Sequence, residues 1–184
     1  RDGVAFGWGP RLWDETPEQT LSRGIGYSMT KSAALVTLLR HEGFEVRLVC
    51  AEIDARIVAD FLAMPGERMD HGMVEIRLEG RWYCVDSHVL DRRLFRAAQA
   101  RLTAEGRSLG YGTHTDGRMR FPGFAQFADV PGLRGYVWGR FDSLATFYDQ
   151  VPEAHNRMTW IDRRLFGLSA DEANERIAAL RAGA

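Results

Sequence analysis

Between Met29 and Glu42 the apolar residues Ala33, Ala34, Leu35, Leu38 and Leu39 recur three and four positions apart. That is the period of a helix burying one face, and it leaves Lys31 and Thr37 on the side toward water. Gly43 follows where a helix ending favours a residue of positive φ. The pattern then changes. Phe44-Glu45-Val46-Arg47-Leu48-Val49-Cys50 alternates before turning apolar, as a strand entering a sheet does. After an acidic, partly helical connection through Pro65, two further alternating runs, His71–Leu78 and Arg81–Asp86, flank Glu79-Gly80 at the spacing of a tight hairpin.

The flanks are less regular. Residues 1–27 mix Gly, Pro and two tryptophans, Trp8 and Trp13, with a polar Thr16–Ser22 stretch, and show no sustained period. Val89–Glu105 reads as helix by composition. Gly106–Arg140, rich in Gly, Arg and aromatics, reads as extended loop, and a helix is expected near Asp142–Gln150. Ser169-Ala170-Asp171-Glu172 has the capping-box form and predicts the start of a last helix running to about Arg181. The expected fold class is α+β, a central helix packed on an antiparallel sheet. A chain of 184 residues that is 45% hydrophobic has the size for one domain over residues 1–184, with its core near 24–88.

Charge narrows the function only locally. The net charge is −1, which gives no global field for nucleic acid or an anionic membrane, and neither is expected as a partner. No window approaches the roughly 18 apolar residues of a membrane span. The opening Arg1-Asp2-Gly3 lacks a charged-then-apolar signal segment, so a cytoplasmic location is expected. All but one of the 24 basic residues are arginine, the exception being Lys31, a bias read first as base composition of the coding sequence. Two cysteines, Cys50 and Cys84, make neither a metal cluster nor a disulfide scaffold, and both read as buried thiols.

The hairpin carries the first candidate chemistry. Side chains alternate, so His71, Met73, Glu75 and Arg77 share one face while Val74, Ile76 and Leu78 share the other, which is expected to be the buried one. A two-residue turn sets Met73 opposite Asp86 and makes His71 its diagonal neighbour, roughly 7–8 Å away at the backbone and within side-chain reach. A histidine held by an aspartate is the base and orienter half of a catalytic triad. On the hairpin alone, a surface histidine beside a strand-end aspartate is the simpler reading. Ser28, directly before the helical pattern, supplies a third partner at the positive end of a helix dipole. Its ordinary reading there is a helix N-cap.

Three blocks in order change that weighting. Gly26-Tyr27-Ser28-Met29-Thr30-Lys31-Ser32-Ala33, with Leu38-Leu39-Arg40 and Gly43-Phe44-Glu45-Val46-Arg47 after it, resembles the helix and strand start of the transglutaminase-like superfamily. His71-Gly72-Met73-Val74-Glu75 and Trp82-Tyr83-Cys84-Val85-Asp86 resemble its His-Ala-Trp-Val-Glu and Trp-x-x-Val-Asp strands. The resemblance implies a papain-like fold and acyl transfer or amide and peptide hydrolysis through a thioester, with residue 28 as nucleophile, His71 as base and Asp86 as orienter. It implies no cofactor and no metal in the chemical step. The substrate class it implies is a peptide, amide or acyl group. The family's nucleophile is cysteine, and here the position is Ser28. A cysteine replaced to trap an inert protein, a natural pseudoenzyme that binds without catalysis, and a working Ser-His-Asp triad are all open, in that order, because this scaffold activates a thiol better than a hydroxyl.

An oxyanion hole would combine the Ser28 N–H with an upstream donor, for which Trp8 and Trp13 are available, each equally readable as packing. Cys84, opposite Glu75, and Cys50 are not expected to be nucleophiles, and Lys31 is expected to be a solvated helix residue. Between His88 and Arg140, nine arginines face four acidic residues. A guanidinium fork suits carboxylate or phosphate, so an anionic or carrier-bound acyl substrate is one expectation for this stretch, against the simpler reading of a solvated helix and loops.

Overall fold

The computed structural model describes residues 1–64, 66–121, 123, 134–156 and 160–183, and of Trp13 and residues 160–168 the backbone alone. In chain order its elements are β1 (Ala5–Phe6), α1 (Pro17–Arg23), β2 (Ile25–Gly26), α2 (Ser28–His41), β3 (Val46–Asp54), β4 (Arg68–Leu78), β5 (Arg81–Val85), α3 (Arg92–Glu105), β6 (Leu109–Gly110), β7 (Thr113–His114), β8 (Arg134–Phe141), α4 (Leu144–Gln150) and α5 (Trp160–Ala182). The main sheet has the order β5-β4-β3-β8, antiparallel throughout. β1 pairs in parallel with β2, directly before the head of α2. The fold is α+β, with α2 packed on the sheet.

The hairpin forms as its sequence dictates. Glu79 and Gly80 have φ of 50° and 80°, the sign pattern of a type I′ turn, which matches the right-handed twist of the flanking strands. Leu78 pairs with Arg81 and Val74 with Val85. The same register runs on to put Met73 opposite Asp86. At the end of α2, Gly43 (φ 83°) donates to Arg40 O, and Phe44 donates to Leu39 O at 2.9 Å. This pair of bonds is a Schellman ending, which only a residue tolerant of positive φ makes without strain.

Several expectations are corrected. Lys31 is 4% exposed rather than solvated, while Leu38, expected in the buried stripe, is 46% exposed. The head of α2 is buried on all sides, and its wet side is the last turn. The apolar face of the hairpin is not the only buried one, because β4 is an interior strand covered on both faces. His71, Met73 and Glu75 are buried, whereas Leu78 at the hairpin tip is 38% exposed. The connection after β3 is partly helical as expected, with a 3₁₀ turn at Ala55–Val58.

Gly106–Arg140 is not all loop. β6 and β7 form a small hairpin, and β8 is the fourth strand of the main sheet. Irregular pairing between Cys50 and Ala51 and between Ala51 and Ile53, with Gly139 at φ 145°, gave this strand the composition of a loop. α5 begins at Trp160, so the capping-box residues at Ser169 lie inside a continuous helix. A capping pattern predicts a helix start only where no earlier turn precedes it.

The C-terminal third is bound to the N-terminal segment through Asp91. That residue caps α3 by accepting from Leu94 N–H, accepts from Phe6 N–H, and is gripped by Arg181 of α5, whose Nη2 lies 2.7 Å from Oδ2. Among the described residues no helix is long and apolar enough to cross a membrane.

Candidate active site

Ser28 is the first residue of α2, and Tyr27 is its N-cap. The capping bond is made by Thr30, whose Oγ1 accepts from Tyr27 N–H at 3.2 Å. The expected capping role for Ser28 is therefore filled by another residue. As the first helical residue, its own N–H belongs to the four that a helix leaves without an internal partner.

The helix head lies hard against β4. A Cβ built on Gly72 would come within 2.9 Å of both Met29 Cα and Ser28 O, so the absence of a side chain at 72 is what permits this approach. Ser32, one turn after Ser28, secures it: its Oγ donates to Gly72 O at 2.8 Å and lies 2.9 Å from His88 Nε2. A hydroxyl has one proton to give. Because that proton goes to Gly72, His88 is the donor in the second bond and carries its proton on Nε2. Burial lowers the His88 pKa to about 3, so its ring is neutral.

His71 and Asp86 meet as the diagonal register requires. His71 Nε2 and Asp86 Oδ2 are 3.3 Å apart, and the two residues are 3% and 0% exposed. An ionised carboxylate only accepts, so Nε2–H donates and Nδ1 is left as the basic nitrogen. Ser28 and His71 border one cavity, together with Phe6, Trp8, Tyr27 and Val89. Its volume is about 20 Å³, room for about one water. No hydrogen bond joins Ser28 to His71 among the described residues.

Lys31, one turn along α2, donates to Val4 O at 2.6 Å and Arg1 O at 3.3 Å. Burial lowers its pKa to about 7, partly opposed by the Asp91 charge. It ties down the segment whose Phe6 and Trp8 wall the cavity. Trp8 is further held by Asn174 of α5, which bonds both its N–H and its carbonyl at 2.9 Å. The Trp13 side chain, the other donor considered from sequence, lies outside the described residues.

Neither cysteine competes at this cavity. Cys50 is fully buried, its thiol pushed well up by burial and by the Asp70 charge. Cys84 is half-buried rather than buried, with Sγ 3.7 Å from Met73 Sδ. Among the described residues at least four of the nine arginines are engaged by carboxylates of the chain. Arg92 pairs with Asp2, Arg101 with Glu105, Arg107 with Asp60 and Glu105, and Arg140 with Glu75. Among the described residues no group of three or more His, Cys, Asp or Glu could hold a metal ion.

Residues 9–87 match the family model of the transglutaminase-like superfamily. Over that stretch, a little under half of its length, the chain is similar to the transglutaminase-like core. That match spans Ser28, His71 and Asp86. A search of curated proteins and a search of solved structures each found no significant match. Sequence reasoning missed Ser32, His88 and Asn156. The first two had a signal: Ser32 is four residues from Ser28 on one helix face, and His88 is two residues beyond Asp86.

Proposed function

We propose that this transglutaminase-like core performs acyl transfer or hydrolysis on an amide, peptide or acyl substrate, with residue 28 as nucleophile, His71 as general base and Asp86 as orienter. The observation that carries the reading is the buried His71–Asp86 contact of 3.3 Å on the wall of a cavity that Ser28 shares. In the first step residue 28 bonds to the substrate carbonyl carbon and its proton passes to His71 Nδ1. Asp86 stabilises the imidazolium so formed. The carbonyl oxygen takes the negative charge and is met by the Ser28 N–H at the positive end of α2 and by the Trp8 indole N–H. His71 then returns the proton to the leaving amine or alcohol. Water or an amine, deprotonated by the same nitrogen, releases the acyl group. With four arginines engaged inside the chain, the proposal does not extend to an anionic or carrier-bound substrate.

The lack of a Ser28–His71 hydrogen bond favours a second reading, a catalytically silent domain that keeps the cleft as a binding site. p-Nitrophenyl acetate followed by intact-mass and peptide mapping separates the two. Acetylation of Ser28 that disappears in His71→Ala supports acyl transfer. Absence of acetyl on residue 28 in both the native chain and Ser28→Cys, with the cleft intact, leaves the silent binding domain.

A further inference from the structure

Tyr27 and Asp70 stand immediately before the two residues that the proposed chemistry uses, Ser28 and His71. They are 1% and 0% exposed. Alternation along β4 turns Asp70 to the face opposite His71, and there it meets the segment that follows α4. Asn156, itself 2% exposed, joins Asp70 by three hydrogen bonds. Its N–H donates to Asp70 Oδ2 at 2.8 Å, its Oδ1 accepts from Asp70 N–H at 3.4 Å, and its Nδ2 donates to Asp70 O at 3.4 Å. Asn156 thus pairs with the backbone of residue 70 on both sides and with its carboxylate.

Tyr27 belongs to the same buried neighbourhood. Burial raises its phenol, with Tyr148, Asp70 and Asn156 acting on it, and burial raises the Asp70 carboxyl against the N–H groups of Asn156 and His155. The spacing between α2 and β4 has no side-chain slack, because Gly72 meets Ser28 O and Met29 Cα directly. A shift of β4 at residue 70 therefore moves His71 relative to Ser28. Asn156 lies outside the matched residues 9–87, so the core draws this support from the C-terminal third.

We propose that Asn156 is a positioning residue, which fixes β4 through Asp70 and so sets the place of the His71 ring against Asp86 and residue 28. Its effect on the chemistry rests on the triad reading above, while its effect on His71 does not.

The test is the NMR spectrum of ¹³C-labelled histidines at one fixed pH in the full chain, comparing the native protein with Asn156→Ala, Asn156→Ser and Val151→Ala. Val151→Ala removes packing from the same segment without touching Asp70. The expected result is a displaced His71 resonance in Asn156→Ala. Asn156→Ser should move it less, and Val151→Ala should leave it in place. His41, at the far end of α2, should be unchanged in all three. In a Ser28→Cys background, Asn156→Ala should slow iodoacetamide alkylation at pH 6 about threefold, because a displaced ring supports the thiolate less well. A His71 resonance indifferent to both Asn156 variants, with Val151→Ala equally destabilising, overturns the proposal and leaves Asn156 an ordinary packing residue. A thiol introduced by Ser28→Cys that is unactivated even with Asn156 in place sinks the triad reading instead, and the His71 resonance still decides the positioning role.

Discussion

Ser28→Cys converts the head of α2 into a direct probe of the site. Two features favour a thiolate there. The helix N-terminus contributes about 0.3–1 kcal/mol. An imidazolium at about 4–6 Å, with an effective dielectric near 20, contributes about 3–4 kcal/mol. At about 1.4 kcal/mol per unit these sum to about 2.5–3.5 units of lowering. Ser28 is 4% exposed, and burial of the anion takes part of this back. The net expectation is a thiol pKa lowered by about two units from its free value of about 8.5. The assay is the rate of iodoacetamide alkylation against pH, with the modified cysteine located by peptide mapping. The introduced thiol should react at pH 6–7, where Cys50, pushed up by burial and Asp70, is inert. His71→Ala in this background should return most of the shift. Asp86→Asn should impair turnover more than alkylation, because it alters tautomer and orientation rather than removing the ring. An introduced thiol that titrates like a free cysteine and ignores His71 would refute the reasoning.

Three further outcomes are expected. Gly72→Ala should lower thermal stability by about 1–3 kcal/mol, because the new methyl meets backbone at 2.9 Å, and in the Ser28→Cys background it should also disturb alkylation. Lys31, with its folded pKa lowered to about 7 by burial, binds fewer protons folded than unfolded from about pH 7 up to its unfolded value, so stability rises with pH across that window. Lys31→Met should flatten this rise in thermal melts compared between pH 7 and 9. His88, held near 3 by burial, contributes stability that is full above its unfolded pKa and lost as pH falls from about 6.5 toward 3. His88→Gln keeps a donor for Ser32 but has no proton to gain, and its melting temperature should fall less than the native one between pH 7 and 5.

The parts legible in the sequence were those governed by local period and turn chemistry. The alternation of β4 and β5 and the Glu79-Gly80 turn fix a register, and the register alone brings His71 to Asp86. Gly43 ends α2 where a positive φ was required. What was not legible depended on contacts distant in sequence. β8 has glycines and arginines because it is an irregularly paired strand against β3, and composition alone reads that as loop. Lys31 has the helical position of a wet residue, but the N-terminal segment folds over it and supplies two carbonyls. Asn156 gives no signal at all, since its partner lies 86 residues away.

The frame around residue 28 is set by bonds in which its side chain takes no part. Ser32 ties the helix to Gly72 O, His88 supports Ser32, and the backbone contact at Gly72 fixes how far the helix head stands from the strand that carries His71. Asp86 and His88 are two residues apart, so one short segment both holds the His71 ring and braces the helix. Exchange of oxygen for sulfur at position 28 therefore leaves this frame in place and acts on ionisation. A thiol is drawn toward its anion by the helix dipole and the imidazolium before substrate arrives. A hydroxyl stays protonated, and its proton must leave for Nδ1 during the attack itself. On the proposed triad the same geometry would serve a resting ion pair with cysteine and general-base catalysis with serine, and the rate ratio between Ser28→Cys and the native chain measures how far the cleft depends on the ion pair.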